Sequence, residues 1–387
     1  IESFKKEEFN LYSKTMRKSL LLLSLSLFSV GLFAQEEKKE EFKPSIKYGI
    51  GLVGQTSYQQ TSDDQGYTMN WAGLKKGFVH TNVFLTPKLS GKLMVGLHSP
   101  QVKVFDFHLQ YDFNEYIGVK AGRFKGAGPR THFQDAIYDQ EFTEIPYSVT
   151  EFARGMGVAD FRRYGIQLQG DWEFINYKLF WHDSDGLRRS VPSQQFIDKQ
   201  ENQESNVGLK LTNFDLFLSF TPLKDAEFGG HVGRSSLPGM GRKSVTHHSL
   251  FFYYRPNNFE FKADYLSYPD VIFDGGFTPD SDDFSYHSYN TVNKKGYSLL
   301  AGYNFNSQWK ASLRYEHFDH GSLGETPSKN YEELDIYTAG ITFFPLKGNK
   351  RTKLVLFYEH FDESKTTPGF DRPNDIIALS YQLVLIR

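Results

Sequence analysis

Residues 308–316 read QWKASLRYE. Laid out as a strand, Trp309, Ala311, Leu313 and Tyr315 fall on one face, and Lys310, Ser312, Arg314 and Glu316 fall on the other, because successive side chains point to opposite sides. The same alternation recurs at 258–266, NFEFKADYL, where Phe259, Phe261, Ala263 and Tyr265 oppose Glu260, Lys262 and Asp264. It recurs again at 104–113, VFDFHLQYDF, where Phe105, Phe107, Leu109 and Tyr111 oppose Asp106, His108, Gln110 and Asp112. A face of aromatic and aliphatic side chains backed by a charged face suits a wall with lipid on one side and water on the other. A soluble sandwich alternates too, but its inner face rarely carries so much tyrosine. The fold class expected is all-β, a transmembrane antiparallel β-barrel.

Composition points the same way. The chain carries 36 Phe and 23 Tyr yet has a mean hydropathy of -0.50, and a membrane barrel can place such aromatics in girdles at both interfaces. Absence of cysteine excludes a disulfide-stapled domain, and a net charge of -2 argues against a nucleic-acid partner. Residues 16–41, MRKSLLLLSLSLFSVGLFAQEEKKEE, pair Arg17 and Lys18 with an apolar run and a small Ala34, which is the pattern of an export signal cleaved before Gln35. Residues 1–15 are read as upstream translation, 16–34 as the signal, 35–44 as a polar segment and 45–387 as the barrel. No later segment is long and apolar enough for a membrane helix, so the expected location is the outer membrane of a Gram-negative bacterium, with outer-membrane lipid around the wall.

The connections alternate in length. Short links are expected near Thr86-Pro87, Phe113-Asn114-Glu115, Gly170-Asp171, 222–226, 255–258, Asn306-Ser307 and 345–350. Long polar links are expected at 54–75, 98–102, 125–161, 183–205, 234–244, 268–294, 318–332 and 361–374. Seven turns and eight loops make about 16 strands, with short periplasmic turns and long external loops. One segment resists this count: NVGLKLTNFDLFLSF changes parity around Thr212-Asn213, so a bulged strand and an extra hairpin both fit it, and 14 or 18 strands stay open. The closing strand, IIALSYQLVLIR, is expected to turn Leu379, Tyr381, Leu383 and Leu385 to lipid.

The letters YEHFD occur twice, at 315–319 and 358–362. On this layout both copies sit where an outward-running strand meets its external loop, with one strand between them. His317 and His360 are then roughly 10 Å apart, two strand spacings, too far to share a metal ion. Tyr315 and Tyr358 are assigned to the external aromatic girdle, and Glu316 and Glu359 to the channel mouth.

The stretch 74–171 resembles the phosphate-selective porin O and P family. The resemblance rests on GLKKGFVHTNVFLTPKLSGKLMVG, on VFDFHLQYDFNEYIGVKAGRFKG with its Gly122-Arg123-Phe124-Lys125 motif, and on ADFRRYGIQLQGD with Gly165-Ile166-Gln167-Leu168-Gln169-Gly170. It covers about a quarter of the chain. It implies a sixteen-stranded diffusion channel, commonly a homotrimer, with arginine and lysine selecting small anions such as phosphate at a constriction loop.

The loop at about 125–161 is the candidate for that constriction. Its basic residues gather at the two ends and its acidic ones, Asp135, Asp139, Glu141, Glu144 and Glu151, lie mostly in the middle. Folded into the lumen, it would set acidic loop against basic wall. An external, solvated loop is the alternative. The candidate solute-binding residues are Lys120, Arg123, Lys125, Arg130, Arg154 and Arg163. On the strand Ile117, Val119 and Ala121 face lipid, so Lys120 points inward. Arg123 then points outward unless a bulge at Gly122 turns it in. His247-His248-Ser249 invites comparison with a lipid hydrolase, but no acid lies nearby in sequence, and the three residues are assigned to a polar external rim. The Asp-rich stretch 270–283 lacks the glycine and terminal glutamate of an EF-hand loop, though it could hold divalent cations loosely. No phosphate-cradling loop, nucleophile elbow or cofactor motif is present, so the chain is expected not to be an enzyme. Two functions fit: a passive channel for small hydrophilic solutes or inorganic anions, and a non-conducting barrel that serves as a structural or partner-binding subunit.

Overall fold

The computed structural model describes residues 42–61, 68–98, 101–135, 139–142, 144–156, 161–183, 211, 213–236, 244–273, 289–323, 326–327, 333–347, 349–364 and 373–386. The expected export signal, most of the fourth loop and most of the Asp-rich sixth loop lie outside the described residues. The barrel unit spans Pro44–Arg387. Its strands are β1 Ser45–Thr61, β2 Thr68–Phe84, β3 Leu89–His98, β4 Gln101–Asp112, β5 Gly118–Phe124, β6 Arg163–Trp172, β7 Ile175–His182, β8 Asn213–Leu223, β9 Ala226–Ser236, β10 Ser244–Tyr254, β11 Phe259–Phe273, β12 Tyr289–Asn304, β13 Trp309–Asp319, β16 Glu333–Phe343, β17 Lys353–Ser364 and β18 Pro373–Ile386. The pair β14 Ser322–Leu323 and β15 Thr326–Pro327 forms a small ribbon in the seventh loop.

Each barrel strand pairs antiparallel with its chain neighbours, and β18 closes on β1 through pairs such as Leu52 with Leu383 and Gly54 with Tyr381. Closure leaves no sheet edge, so every backbone group at membrane depth can find a partner. Sixteen strands form the wall. The parity change near Thr212-Asn213 adds no hairpin, because β8 begins at Asn213 and pairs directly with β7 from His182 opposite Asn213 to Ile175 opposite Phe220.

Alternation sorts the side chains as their polarity requires. On β13, Leu313 is 63% exposed on the outer face, while Lys310, Ser312, Arg314 and Glu316 are buried inside. Leu379, Tyr381, Leu383 and Leu385 stand outward on β18. The rings of Tyr297, Tyr315 and Tyr337 follow one another across β12, β13 and β16 at 5.8 and 5.2 Å, part of one aromatic girdle. Trp309 against Phe343, at 4.7 Å, belongs to the girdle at the short-turn end. Six residue steps separate Trp309 from Tyr315, about 20 Å along the strand.

Four expectations shift. β1 and β2 keep pairing out to Gln60 and Thr68, so the first loop is far shorter than 54–75. Likewise β11 and β12 pair out to Phe273 and Tyr289, which shortens the sixth. The third turn falls at Glu173-Phe174 rather than Gly170-Asp171, because Gly170 still pairs with Tyr177. In β4 a bulge skips Phe105: Met94 faces Asp106 and Val95 faces Val104, so Phe105 leaves the lipid-facing row and lies beneath the Arg162 guanidinium.

A closed wall of this kind predicts a heat-modifiable protein. An unboiled sample in detergent should migrate faster on a gel than a boiled one; identical mobility would contradict closure.

Candidate functional site

Between β5 and β6 the chain leaves the wall at Phe124 and returns at Arg163, two residues that pair with each other. The intervening segment is held against the inner wall by three apolar anchors. Ala127 joins Phe124, Phe180, Phe217, Phe251 and Tyr253. Phe142 packs with Leu300, Val355, Phe357 and Ala378. The helix Tyr147–Gly155 buries Val149, Phe152 and Ala153, with Met156 just beyond, against Leu266, Tyr268 and Phe318. Positions 149, 152, 153 and 156 have the i, i+3, i+4, i+7 spacing of one helix face. Pro146 supplies no side-chain cap, and the wall residue Glu316 accepts the Tyr147 N–H at 2.6 Å instead, placing a carboxylate at the helix N-terminus.

Polar contacts fix the rest of the segment. Thr131 bonds Tyr253 and Asp264 at 2.6 and 2.8 Å, across a tight turn in which His132 has φ 67°. Lys310, 7% exposed, pairs with both Glu141 and Glu260. Burial, the largest influence, works against the Glu141 carboxylate, yet Lys310, Lys353 and Lys262 together outweigh it and hold the Glu141 pKa below its ordinary value. Glu144 pairs with Lys75, Asp139 with Arg351, and the Glu144 carbonyl accepts from Arg314. The acidic centre of the loop is thus taken up by bases on β2, β13 and the turn before β17.

The opposite side of the lumen differs. A cavity of about 350 Å³ is lined by Lys92, Lys120, Lys125, Arg162 and Lys178 against the carboxylates of Asp106 and Asp135. Asp106 is held by Lys92 at 2.8 Å and Arg162 at 2.6 Å. Lys125 donates to the carbonyls of His132 and Asp135, Lys178 donates to Gln134, and the Lys120 ammonium lies 5.3 Å from the Phe124 ring. Among the described residues no carboxylate forms an ion pair with Lys120, Lys125 or Lys178. Lys120 and Lys178 also line a second cavity, of about 630 Å³, that opens at the short-turn end.

The six expected site residues therefore separate. Lys120 and Lys125 line the basic cavity. Arg123 does not: Gly122 has φ 132° but no residue is skipped, so Arg123 stays in the outward row beside Phe107 and Tyr164. Its guanidinium stacks on Tyr164 and donates to the carbonyls of Val104 and Phe105 beside the β4 bulge. Arg130 is neutralised by Asp135 and Glu227, and Arg154, more than half exposed, pairs with Glu151 one helical turn away. Arg163 is buried against Asp215 and His182 at 2.7 and 2.8 Å. Arg162, one of the basic residues at the loop's ends, joins Lys120 and Lys125 in that cavity; Lys92 and Lys178 were missed, although alternation between Gly91 and Leu93, and between Tyr177 and Leu179, marks both lysines as inward. Lys120 and Lys178 line both cavities, on the inner face of the barrel wall. Its fold is similar to that of solved outer-membrane barrels.

OmpF of Salmonella typhi, solved with daunomycin, superposes with a TM-score of 0.60 at 10% identity, covering 88% of this chain and 97% of that one. OmpT in its trimer form, an outer membrane protein of Vibrio cholerae, gives 0.56 at 10% identity over 89% and 100%. A loop-deletion mutant of OmpT gives 0.55 at 11% identity over 88% and 99%. No protein-family model matches the chain, and no curated protein does.

The remaining sequence motifs resolve into different contacts. Each YEHFD copy meets an aspartate of the next strand: Asp335 accepts from Tyr315 at 2.7 Å and lies 2.9 Å from His317, while Asp375 meets Tyr358 and lies 3.0 Å from His360. Glu316 and Glu359 turn inward to Arg314, at 2.9 and 3.0 Å. Neither His247 nor Ser249 belongs to an exposed polar rim; both are buried on the lumenal face. His247 does have an acid, Asp215 of β8, at 3.0 Å. Ser249 Oγ and His247 Nδ1 have no hydrogen-bond partner among the described residues, so the Ser–His contact of a hydrolase is not made.

Proposed function

We propose that this protein is a passive channel of the outer membrane of a Gram-negative bacterium, admitting small hydrophilic solutes and preferring inorganic anions such as phosphate. The observation that carries the reading is the charge asymmetry across the lumenal loop. Asp139, Glu141 and Glu144 of the loop are spent on the bases of one side and Asp135 and Glu151 on the loop's own arginines, while Lys120, Lys125 and Lys178 face the other cavity with no ion-paired acid among the described residues. An anion passing there must exchange water for donors, and charge-assisted hydrogen bonds from several ammonium groups offset that loss. The solved OmpT trimer form supports a homotrimer as the working assembly. Purified protein in a planar bilayer tests the channel: stepwise conductance is expected, whereas silence would favour a scaffolding barrel. Reversal potentials in a salt gradient test the selectivity, and a cation preference would refute it.

The same site makes the preference pH-dependent. Burial, then the neighbouring charges of Arg162 and Lys76, hold the Lys125 pKa well below the ordinary lysine value, with Asp106 and Asp135 opposing. A base with a lowered pKa is charged below that value and neutral above it. Raising the pH from about 6 to about 10 should therefore reduce the anion-over-cation permeability ratio, over a range in which a lysine of pKa ~10.4 would keep most of its charge. Lys125→Gln should flatten the change. A ratio in the parent that holds constant would take Lys125 out of the path.

A further inference from the structure

We infer that Asp215, His231 and His247 form a binding site for one divalent transition-metal ion of the zinc class, sealed beneath the lumenal helix. The three residues come from β8, β9 and β10, all on the lumenal face. Asp215 lies opposite Gly233, and Gly233 opposite His247, so the aspartate and histidine flank one glycine in a cross-strand row. His231 is two positions before Gly233 on the same face. Asp215 Oδ1 is 3.0 Å from His247 Nε2 and 3.3 Å from His231 Nε2. One donor atom from each residue lies within 4.8 Å of the others. Ligands on a tetrahedral zinc ion at bond lengths near 2.0–2.1 Å stand roughly 3.3 Å apart, so the aspartate is already at ligand spacing from both histidines, and a small closing of the histidine pair would complete the set.

Three further features suit an ion. A Cβ at Gly233 would come within 1.9 Å of Asp215 Oδ1 and 2.2 Å of His247 Nε2, so only glycine lets these donors converge. The Asp215 carboxylate is divided: Oδ2 accepts from Arg163 at 2.7 Å and lies 2.9 Å from His182 Nε2, which orients the group and leaves Oδ1 facing the two imidazoles. Neither ring nitrogen of His231, whose side chain is 1% exposed, has an aligned hydrogen-bond partner among the described residues, and His247 Nδ1 has none. A buried imidazole in the condition of His231 lacks the bonds it had in water, and an ion on its Nε2 would restore one; at His247, whose Nε2 already meets Asp215, the ion would take the place of that contact. Two imidazoles and one carboxylate favour zinc, cobalt, nickel or copper over the oxygen-seeking calcium and magnesium.

The Phe152 ring of the lumenal helix covers the site, 6.2 Å from the His231 ring and 5.4 Å from the His247 ring. An ion bound here would tie β8, β9 and β10 together under the helix and exchange slowly, entering as the barrel folds. The test follows from that closure. Full-length protein, freed of any affinity tag, is refolded in detergent with Zn²⁺ or Co²⁺, passed through a desalting column and assayed for metal per folded chain. The expected result is about one ion per chain, with the visible d–d bands of a low-coordinate Co²⁺ site. The double variant His231→Asn/His247→Asn, checked for its heat-dependent mobility, should lose that ion. Fewer than about half an ion per parent chain, or a folded double variant that keeps as much metal as the parent, would overturn the assignment. Should the variant fail to fold, X-ray absorption on the cobalt-loaded parent decides: imidazole scattering supports the site, and a shell of water oxygens alone removes it.

Discussion

Replacing residues 126–161 by a short glycine-serine turn is expected to raise single-channel conductance about two- to five-fold, because a sixteen-stranded wall without an inserted segment encloses an open aqueous lumen. The replacement is geometrically mild. Phe124 and Arg163 already pair at the wall, so a turn there joins two adjacent strand ends. What it removes is the partition: one cavity of about 480 Å³ on the Lys310 side and another of about 350 Å³ on the Lys120 side share only Asp135 between them. It also strips cover from Phe180, Phe217, Phe251, Leu266, Phe318 and Phe357, each of which contributes about 1.5–3 kcal/mol when buried. The shortened barrel should accordingly lose its heat-dependent mobility at a lower temperature while conducting more. Planar-bilayer recording decides, and a conductance equal to that of the parent would show that the segment does not restrict the path. Phe142→Ala is the milder companion. It removes one anchor, at a cost of about 3–5 kcal/mol, and should produce a noisy channel with intermediate conductance.

The wall was legible in the sequence because its rule is local. Lipid outside and water inside force a period of two, and QWKASLRYE, NFEFKADYL and IIALSYQLVLIR obey it residue by residue. Turn positions followed from the same rule and slipped by three residues at Gly170, where a glycine inside a strand imitates a turn. The site was legible only where it inherits the wall's alternation, as Lys120 does. The loop obeys no such period. Phe142, Val149 and Phe152 find their partners on strands far along the chain, from β9 to β18, so spacing along the chain carried no sign of which face they cover. The wall answers the loop with large apolar side chains pointing inward, such as Phe180, Phe217 and Phe357, and these break the alternation that identified the strands. The orientation of Arg123 stayed open in the sequence for a related reason. A bulge at Gly122 would have turned it inward, but pairing to both neighbours keeps the register, and Arg123 takes the outward alternative that strict alternation gave. The histidine cluster was invisible because Asp215, His231 and His247 are spread over three strands and meet only across the sheet.

The second large effect concerns charge. Changing Lys120, Lys125 and Lys178 together to Glu should reverse the sign of the reversal potential in a salt gradient, moving the anion-over-cation permeability ratio by about tenfold or more. Each substitution replaces a positive group with a negative one in a cavity whose only carboxylates among the described residues are Asp106, already held by Lys92 and Arg162, and Asp135. Lys120 and Lys178 line the cavity at the turn end as well, so a solute meets the changed charges in both compartments. The Lys→Gln triple variant should fall between, near no preference, which separates loss of attraction from gain of repulsion. Salt then distinguishes a pore-lining field from a structural effect of the substitutions. At 0.1 M the screening length is about 10 Å, comparable to the cavity, whereas at 1 M it is about 3 Å. The difference between parent and Glu variant should therefore shrink steeply as the mean salt concentration rises, while a difference caused by a rearranged loop would persist. Equal reversal potentials in the parent and the Glu variant at low salt would remove these lysines from the permeation path.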